Sequence, residues 1–154
     1  MVVHWLTIGK KDVTLYDKNA DSDALGVTQA ADKKEMRQNT DIQQLIIDGI
    51  QERKGRGITI VDMSHIESAA TPKFIIAQGG SPTQVSAIAD SVRDYVLEHG
   101  DTKPYNYDGY SNSEWIVIDY GDTLVHIFLP EVRLRYNLED LWSDANIIDV
   151  PDLD

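Results

Sequence analysis

Ser113-Glu114-Trp115-Ile116-Val117-Ile118-Asp119-Tyr120-Gly121-Asp122-Thr123-Leu124-Val125-His126-Ile127-Phe128 is the stretch that decides the fold. Trp115–Asp119 and Leu124–Leu129 are runs of β-branched and aromatic residues. Tyr120-Gly121-Asp122-Thr123 between them supplies turn chemistry, so the pair reads as an antiparallel hairpin. Downstream, Pro130 opens a short helix carrying Arg133 and Tyr136. Leu138, Leu141 and Trp142 continue an apolar face.

Moving upstream, Phe74-Ile75-Ile76-Ala77 is a short strand that runs into Gln78-Gly79-Gly80-Ser81-Pro82. That is a strand-to-helix turn. Ser81 is a good N-cap, and Pro82 suits the first helical position, where its missing N–H costs nothing. Val85, Ile88, Ala89, Val92 and Val96 then form an apolar stripe, closed by His99-Gly100. Lys103-Pro104-Tyr105 to Asp108-Gly109 reads as an edge strand and turn.

Further upstream, Ile42, Leu45, Ile46 and Ile50 recur at helical intervals over residues 41–54. Thr40 and Gln43 have the spacing of a capping box, and Gly55 and Gly57 end the helix. Ile58-Thr59-Ile60-Val61-Asp62 is a β-branched strand. The sequence therefore predicts an α/β fold with a mixed β-sheet flanked by helices. Phe74–Ala77, the helix after it and Trp115–Asp119 read as a βαβ crossover. Residues 1–38 are polar with weak periodicity and are expected to form a flexible N-terminal extension. Residues 39–145 make one domain, and 146–154 an acidic C-terminal tail.

The chain has 154 residues, a net charge of −12 and no cysteine. Disulfides, thiol nucleophiles and zinc–thiolate sites are therefore excluded. No apolar run approaches the roughly 20 residues of a membrane span. Met1–Ile8 lacks the basic flank of a signal peptide, so the cytoplasm is the expected location. Residues 101–154 carry 3 basic and 12 acidic side chains, and six acids with no base follow from Glu139 onward. Such a surface repels phosphate backbones and draws in basic proteins, so direct nucleic-acid binding is not expected.

Catalytic constellations are not evident. Gly79-Gly80-Ser81 before a helix could cradle phosphate, but the acids that follow, Asp90 and Asp94, fall within the helix rather than as a pair on a strand. His4, His65, His99 and His126 show no metal-ligand spacing. His126 sits in an apolar strand and reads as a structural or interface histidine. No catalytic residue, metal or cofactor is assigned.

From about Asp41 to Trp142, two thirds of the chain, the sequence resembles the ribosomal silencing factor (iojap) family. The resemblance rests on Phe74–Ser81, Val85, Ile88-Ala89-Asp90, Asp108-Gly109, Trp115–Asp122, Val125–Phe128, Arg133 and Tyr136–Trp142. Asp108-Gly109 stands where the family more often has Glu-Gly. The resemblance implies a fold like that of nucleotidyltransferases without their catalytic acids. It also implies a non-enzymatic repressor of translation, acting when nutrients are scarce. Family members bind the large ribosomal subunit through its L-fourteen protein, block joining of the small subunit sterically, and can form homodimers when free.

Aromatic and arginine side chains dominate protein-interface hot spots. Trp115, Tyr136, Leu138 and Trp142 are accordingly expected to offer apolar anchor area to the partner, with Tyr120 of the same aromatic cluster on the binding face. Asp119, Asp122 and Glu139 are expected to pair with its basic side chains, and Arg133 with an acid or carbonyl. Two rivals stay open at this point: a nucleotide-binding enzyme built on Gly79, Gly80 and Ser81, and a homodimeric scaffold module.

Overall fold

The computed structural model describes residues 42–153. The proposed extension 1–38 and the Thr40 cap lie outside the described residues. Nine elements run in chain order from residue 56: β1 (Arg56–Asp62), β2 (Lys73–Gln78), α2 (Pro82–Gly100), β3 (Asn106–Asp108), β4 (Trp115–Asp119), β5 (Thr123–Phe128), α3 (Pro130–Tyr136), α4 (Leu138–Leu141) and β6 (Asn146–Asp149). They follow a first helix, α1, over residues 42–52.

The six strands form one sheet in the order β3-β4-β5-β2-β1-β6. β2 and β5 pair in parallel at its centre, and the other four pairings are antiparallel. This is the mixed sheet flanked by helices expected from the sequence. The crossover differs from expectation. The parallel partner of β2 is β5, whereas β4 lies beyond β5 and runs opposite to β2. The hairpin brings its second strand, not its first, against β2.

The segment 146–154 also departs from a plain acidic tail. Asn146–Asp149 is a strand, pairing with β1 from Thr59↔Asp149 to Asp62↔Asn146. Its apolar signal is only Ile147-Ile148, too short to stand out among acids. Backbone pairing to β1 and the bond from Thr59 Oγ1 to Asp149 Oδ1 (3.0 Å) hold it.

Strand alternation sorts the core into two layers. Phe74, Ile76, Trp115, Val117, His126 and Phe128 share one face; Ile75, Ala77, Ile116, Ile118, Val125 and Ile127 share the other. The stripe Val85, Ile88, Ala89, Val92 and Val96 of α2 is buried. Arg93 on α2 lies over Tyr107, which pairs with Ile118 of the second face. α1 packs on α2 so closely that a Cβ on Gly49 would come within 2.8 Å of the Val92 Cα. α3 and α4 cover the first face, where Trp142 meets Phe74 and Tyr136 meets Trp115. α2 starts as read, with Ser81 Oγ accepting from the Gln84 amide at 3.1 Å.

Candidate partner-binding surface

The nine residues nominated from sequence divide by burial. Trp115, Tyr120, Leu138 and Trp142 are in the core. Trp115 is only 7% exposed; it stacks on Phe128 at 4.9 Å and Tyr136 at 4.7 Å, and its indole N–H donates to His126 Nδ1 at 3.1 Å. Trp115, Leu138 and Trp142 pack on the α3–α4 side of the sheet, whereas Tyr120 lies on the opposite side near Arg93 of α2, and all four leave little area for a partner. Burial pushes the Tyr120 hydroxyl up.

Arg133 and Glu139 pair with each other. Arg133 donates from Nε (3.0 Å) and Nη2 (2.8 Å) to Glu139 Oε1. Its guanidinium also reaches Gly57 O at 2.6 Å, Gln78 Oε1 at 3.2 Å and Thr59 Oγ1 at 3.1 Å. This one side chain ties α3 and α4 to β1 and β2. Asp119 is spent on its turn, accepting from the Gly121 amide at 2.7 Å. Asp122 is exposed and free to face outward, and Tyr136 is 39% exposed.

Two outward residues are absent from the nine nominated. Leu134 on α3 is 80% exposed, and Leu141, seven residues on at the end of α4, is 45% exposed. The signal was present: Val132 is buried, and residues two apart on a helix point to opposite sides. The helix pair α3–α4 thus presents Leu134 and Leu141 outward, with Tyr136 part-exposed where it packs on Trp115, and the exposed acids Glu131 and Asp140 flank them. Isolated exposed leucines are ordinary, but three large apolar side chains within eight residues are a candidate contact patch.

The start of α2 is arranged against phosphate. Gln84 folds back so that its Oε1 accepts from the Gly80 amide at 2.7 Å, while its Nε2 donates to the carbonyls of Arg53 and Lys54, both at 3.3 Å. With Ser81 Oγ capping the Gln84 amide, the chain's own side chains occupy the turn that would have to hold an anion. Among the described residues, no group of three or more acids and histidines converges as a metal site, and no helix is long and apolar enough to cross a membrane.

His126 is fully buried, and its rings of contact are Phe74, Trp115 and Phe128. The indole can only donate, so Nδ1 accepts and Nε2 carries the hydrogen, without a hydrogen-bond partner. Burial pushes this imidazole down to about 3. The folded chain refuses a proton that the unfolded chain takes below about 6.5. The stabilisation is therefore complete above that pH and declines as pH falls toward 3, by about 1.4 kcal/mol per pH unit. Urea melts at stepped pH should give this slope between pH 6 and 4.5, and His126→Phe should flatten it. Equal slopes for the two chains would contradict a buried neutral histidine.

The family described as ribosomal silencing factor during starvation matches residues 26–154. The chain belongs to the ribosomal silencing factor family. A ribosomal silencing factor from Halalkalibacterium halodurans is 33% identical over 112 residues, covering 73% of this chain and 94% of that one. One from Bacillus subtilis is 35% identical over 99 residues, covering 64% and 82%. A crystal structure of a Chromobacterium violaceum protein superposes with a TM-score of 0.63 at 34% identity, covering 68% of this chain and 85% of that one. The family match takes in the β6 segment as well as the sheet and helices.

Proposed function

We propose that the chain silences the large ribosomal subunit. It binds the subunit's L-fourteen protein on the face that meets the small subunit and blocks joining by its bulk, repressing translation when nutrients are scarce. The action is stoichiometric and cytoplasmic, with no substrate turned over. The observation that carries this reading is the family match over residues 26–154. The surface chemistry agrees with it. The exposed Leu134, Tyr136 and Leu141 offer apolar anchor area, and the surrounding acids favour encounter with a basic protein.

Sedimentation of the purified chain with isolated large subunits, followed by addition of small subunits, tests the reading. Co-sedimentation and loss of joined ribosomes are expected. Absence of binding at low and moderate salt would overturn it. Leu134→Glu buries a charge at the contact and should weaken large-subunit binding about tenfold or more. Because Leu134 is exposed in the free chain, the stability of this variant should stay within about 0.5 kcal/mol of wild type. Unchanged binding would remove the α3–α4 face from the interface.

A further inference from the structure

The two edges of the sheet are treated differently by the sequence. β3, at one end, has three residues, and its polar side chains fold onto the backbone. Asn106 Oδ1 accepts from the Tyr107 amide and Asp108 Oδ1 from the Gly109 amide, both at 2.8 Å. This edge is short and self-capped, as edges that avoid pairing usually are.

β6, at the other end, is also short at four residues, but its Asp149 carboxylate bonds across to β1 rather than to its own amides. Val150 donates to Ile58 O at 2.8 Å, in register with the β1–β6 ladder. Backbone groups alternate along a strand, so Ile148 and Asn146 also turn toward β1. The amides and carbonyls of Ile147 and Asp149 therefore point away from the sheet. Among the described residues no strand lies on that side. Ile147 is 45% exposed and Ile148 53% exposed, on opposite faces of the strand. Asp144, Asp149 and Asp152 are exposed around them, and Asp149 and Asp152 already accept from Thr59 Oγ1 and the Gly57 amide. After Arg135 the sequence contains no lysine or arginine.

We propose that the outer edge of β6 is a β-augmentation site for an extended segment of a partner protein, in which apolar residues alternate with lysine or arginine. Main-chain bonds to Ile147 and Asp149 supply affinity. The exposed isoleucines accept the apolar side chains, and the acids select the cations. Like charge disfavours a second copy of β6 as the occupant. This edge does not depend on the ribosomal reading, because its partner is defined by backbone geometry and charge alone.

The probe is a six-residue peptide alternating valine and lysine, with a valine–glutamate peptide as control, added to the full chain. Amide hydrogen exchange followed by NMR is expected to slow at Ile147 and Asp149 on addition of the lysine peptide and to stay unchanged with the glutamate peptide. Ile147→Pro deletes one outward donor while leaving the amides that face β1, and should weaken peptide binding roughly tenfold. Ile147→Ala, which keeps the amide, should bind with a smaller loss. A slow Val150 amide in the proline variant verifies that β6 still pairs with β1, and the wild-type exchange result stands independently of that variant. The proposal is overturned if the lysine peptide leaves Ile147 and Asp149 unchanged, or if both peptides bind alike. Slow exchange at these amides in the free chain would also overturn it. Persistence of that protection at every dilution would assign the edge to another part of the same chain, and its loss on dilution to a second copy.

Discussion

Trp115→Ala is expected to lower the stability of the chain by about 3–5 kcal/mol. The indole fills the space between Phe128, Tyr136 and His126, so alanine leaves a cavity rather than a smaller exposed side chain. It also strips His126 Nδ1 of its donor, so that both ring nitrogens of a fully buried imidazole lack partners. The lost hydrogen-bond partner accounts for about 1–3 kcal/mol of that total. Trp115→Phe shifts the balance of the two contributions: it keeps a six-membered aromatic ring in the site, and so part of the packing, while losing the N–H altogether. Against a total stability of roughly 5–15 kcal/mol for a typical domain, the alanine change removes a large share. Urea denaturation followed by circular dichroism measures it. A midpoint equal to that of wild type would mean that Trp115 is not core and would restore it as a surface anchor.

The expectation for Trp115 shows what the sequence could and could not reveal. Periodicity and turn chemistry make the hairpin Trp115–Phe128, the capped helix after Ser81-Pro82 and the strand at Phe74 legible. These signals are local: alternation, an N-cap and a proline at the first turn are all read within a few residues. Which hairpin strand reaches β2 is a long-range choice. It depends on both faces of β5 being apolar enough for the centre of the sheet, and nothing local states that. β6 was missed for a related reason, since its partner Thr59–Asp62 lies almost ninety positions away and only two apolar residues mark it.

The short helices after the hairpin were legible, but not which of their side chains face outward. The stretch Arg133–Trp142 does form the helix pair with the outward patch. Aromatic identity, however, pointed to Trp115, Tyr120 and Trp142, which the sheet needs for its own cover. Large aromatics bury the most area wherever they go, so residue type alone does not separate a core anchor from an interface anchor. The plain Leu134 carries less signal and more exposure.

Arg133→Ala is the second large effect, also expected to cost about 3–5 kcal/mol. The Arg133 and Glu139 side chains are only 14% and 23% exposed, so the pair is mostly sheltered from solvent screening. Removing the guanidinium leaves the Glu139 carboxylate in that setting without its cation, and releases Gly57 O, Gln78 Oε1 and Thr59 Oγ1 at once. Partial solvent access lets water recover some of these bonds, which places the result at the lower end of the range. Lysine should rescue only part of it, because a single ammonium cannot reproduce a planar fork spanning two strands and a helix. Gly57 belongs to the same arrangement. Its φ of +60° favours glycine, and a Cβ there would lie 2.8 Å from Arg133 Nη1, so Gly57→Ala should damage the clamp from the opposite side. Because Arg133 and Glu139 share one interaction, the double replacement should cost less than the two single changes added together, and a double-mutant cycle in urea reads that coupling. The clamp also carries a functional consequence. Leu134, Tyr136 and Leu141 are presented by the helices that Arg133 fastens to the sheet, so Arg133→Ala should weaken large-subunit binding even under conditions where the sheet remains folded. Stability and binding both at wild-type level would refute the clamp, whereas lost stability with intact binding by the folded fraction would separate it from the docking face.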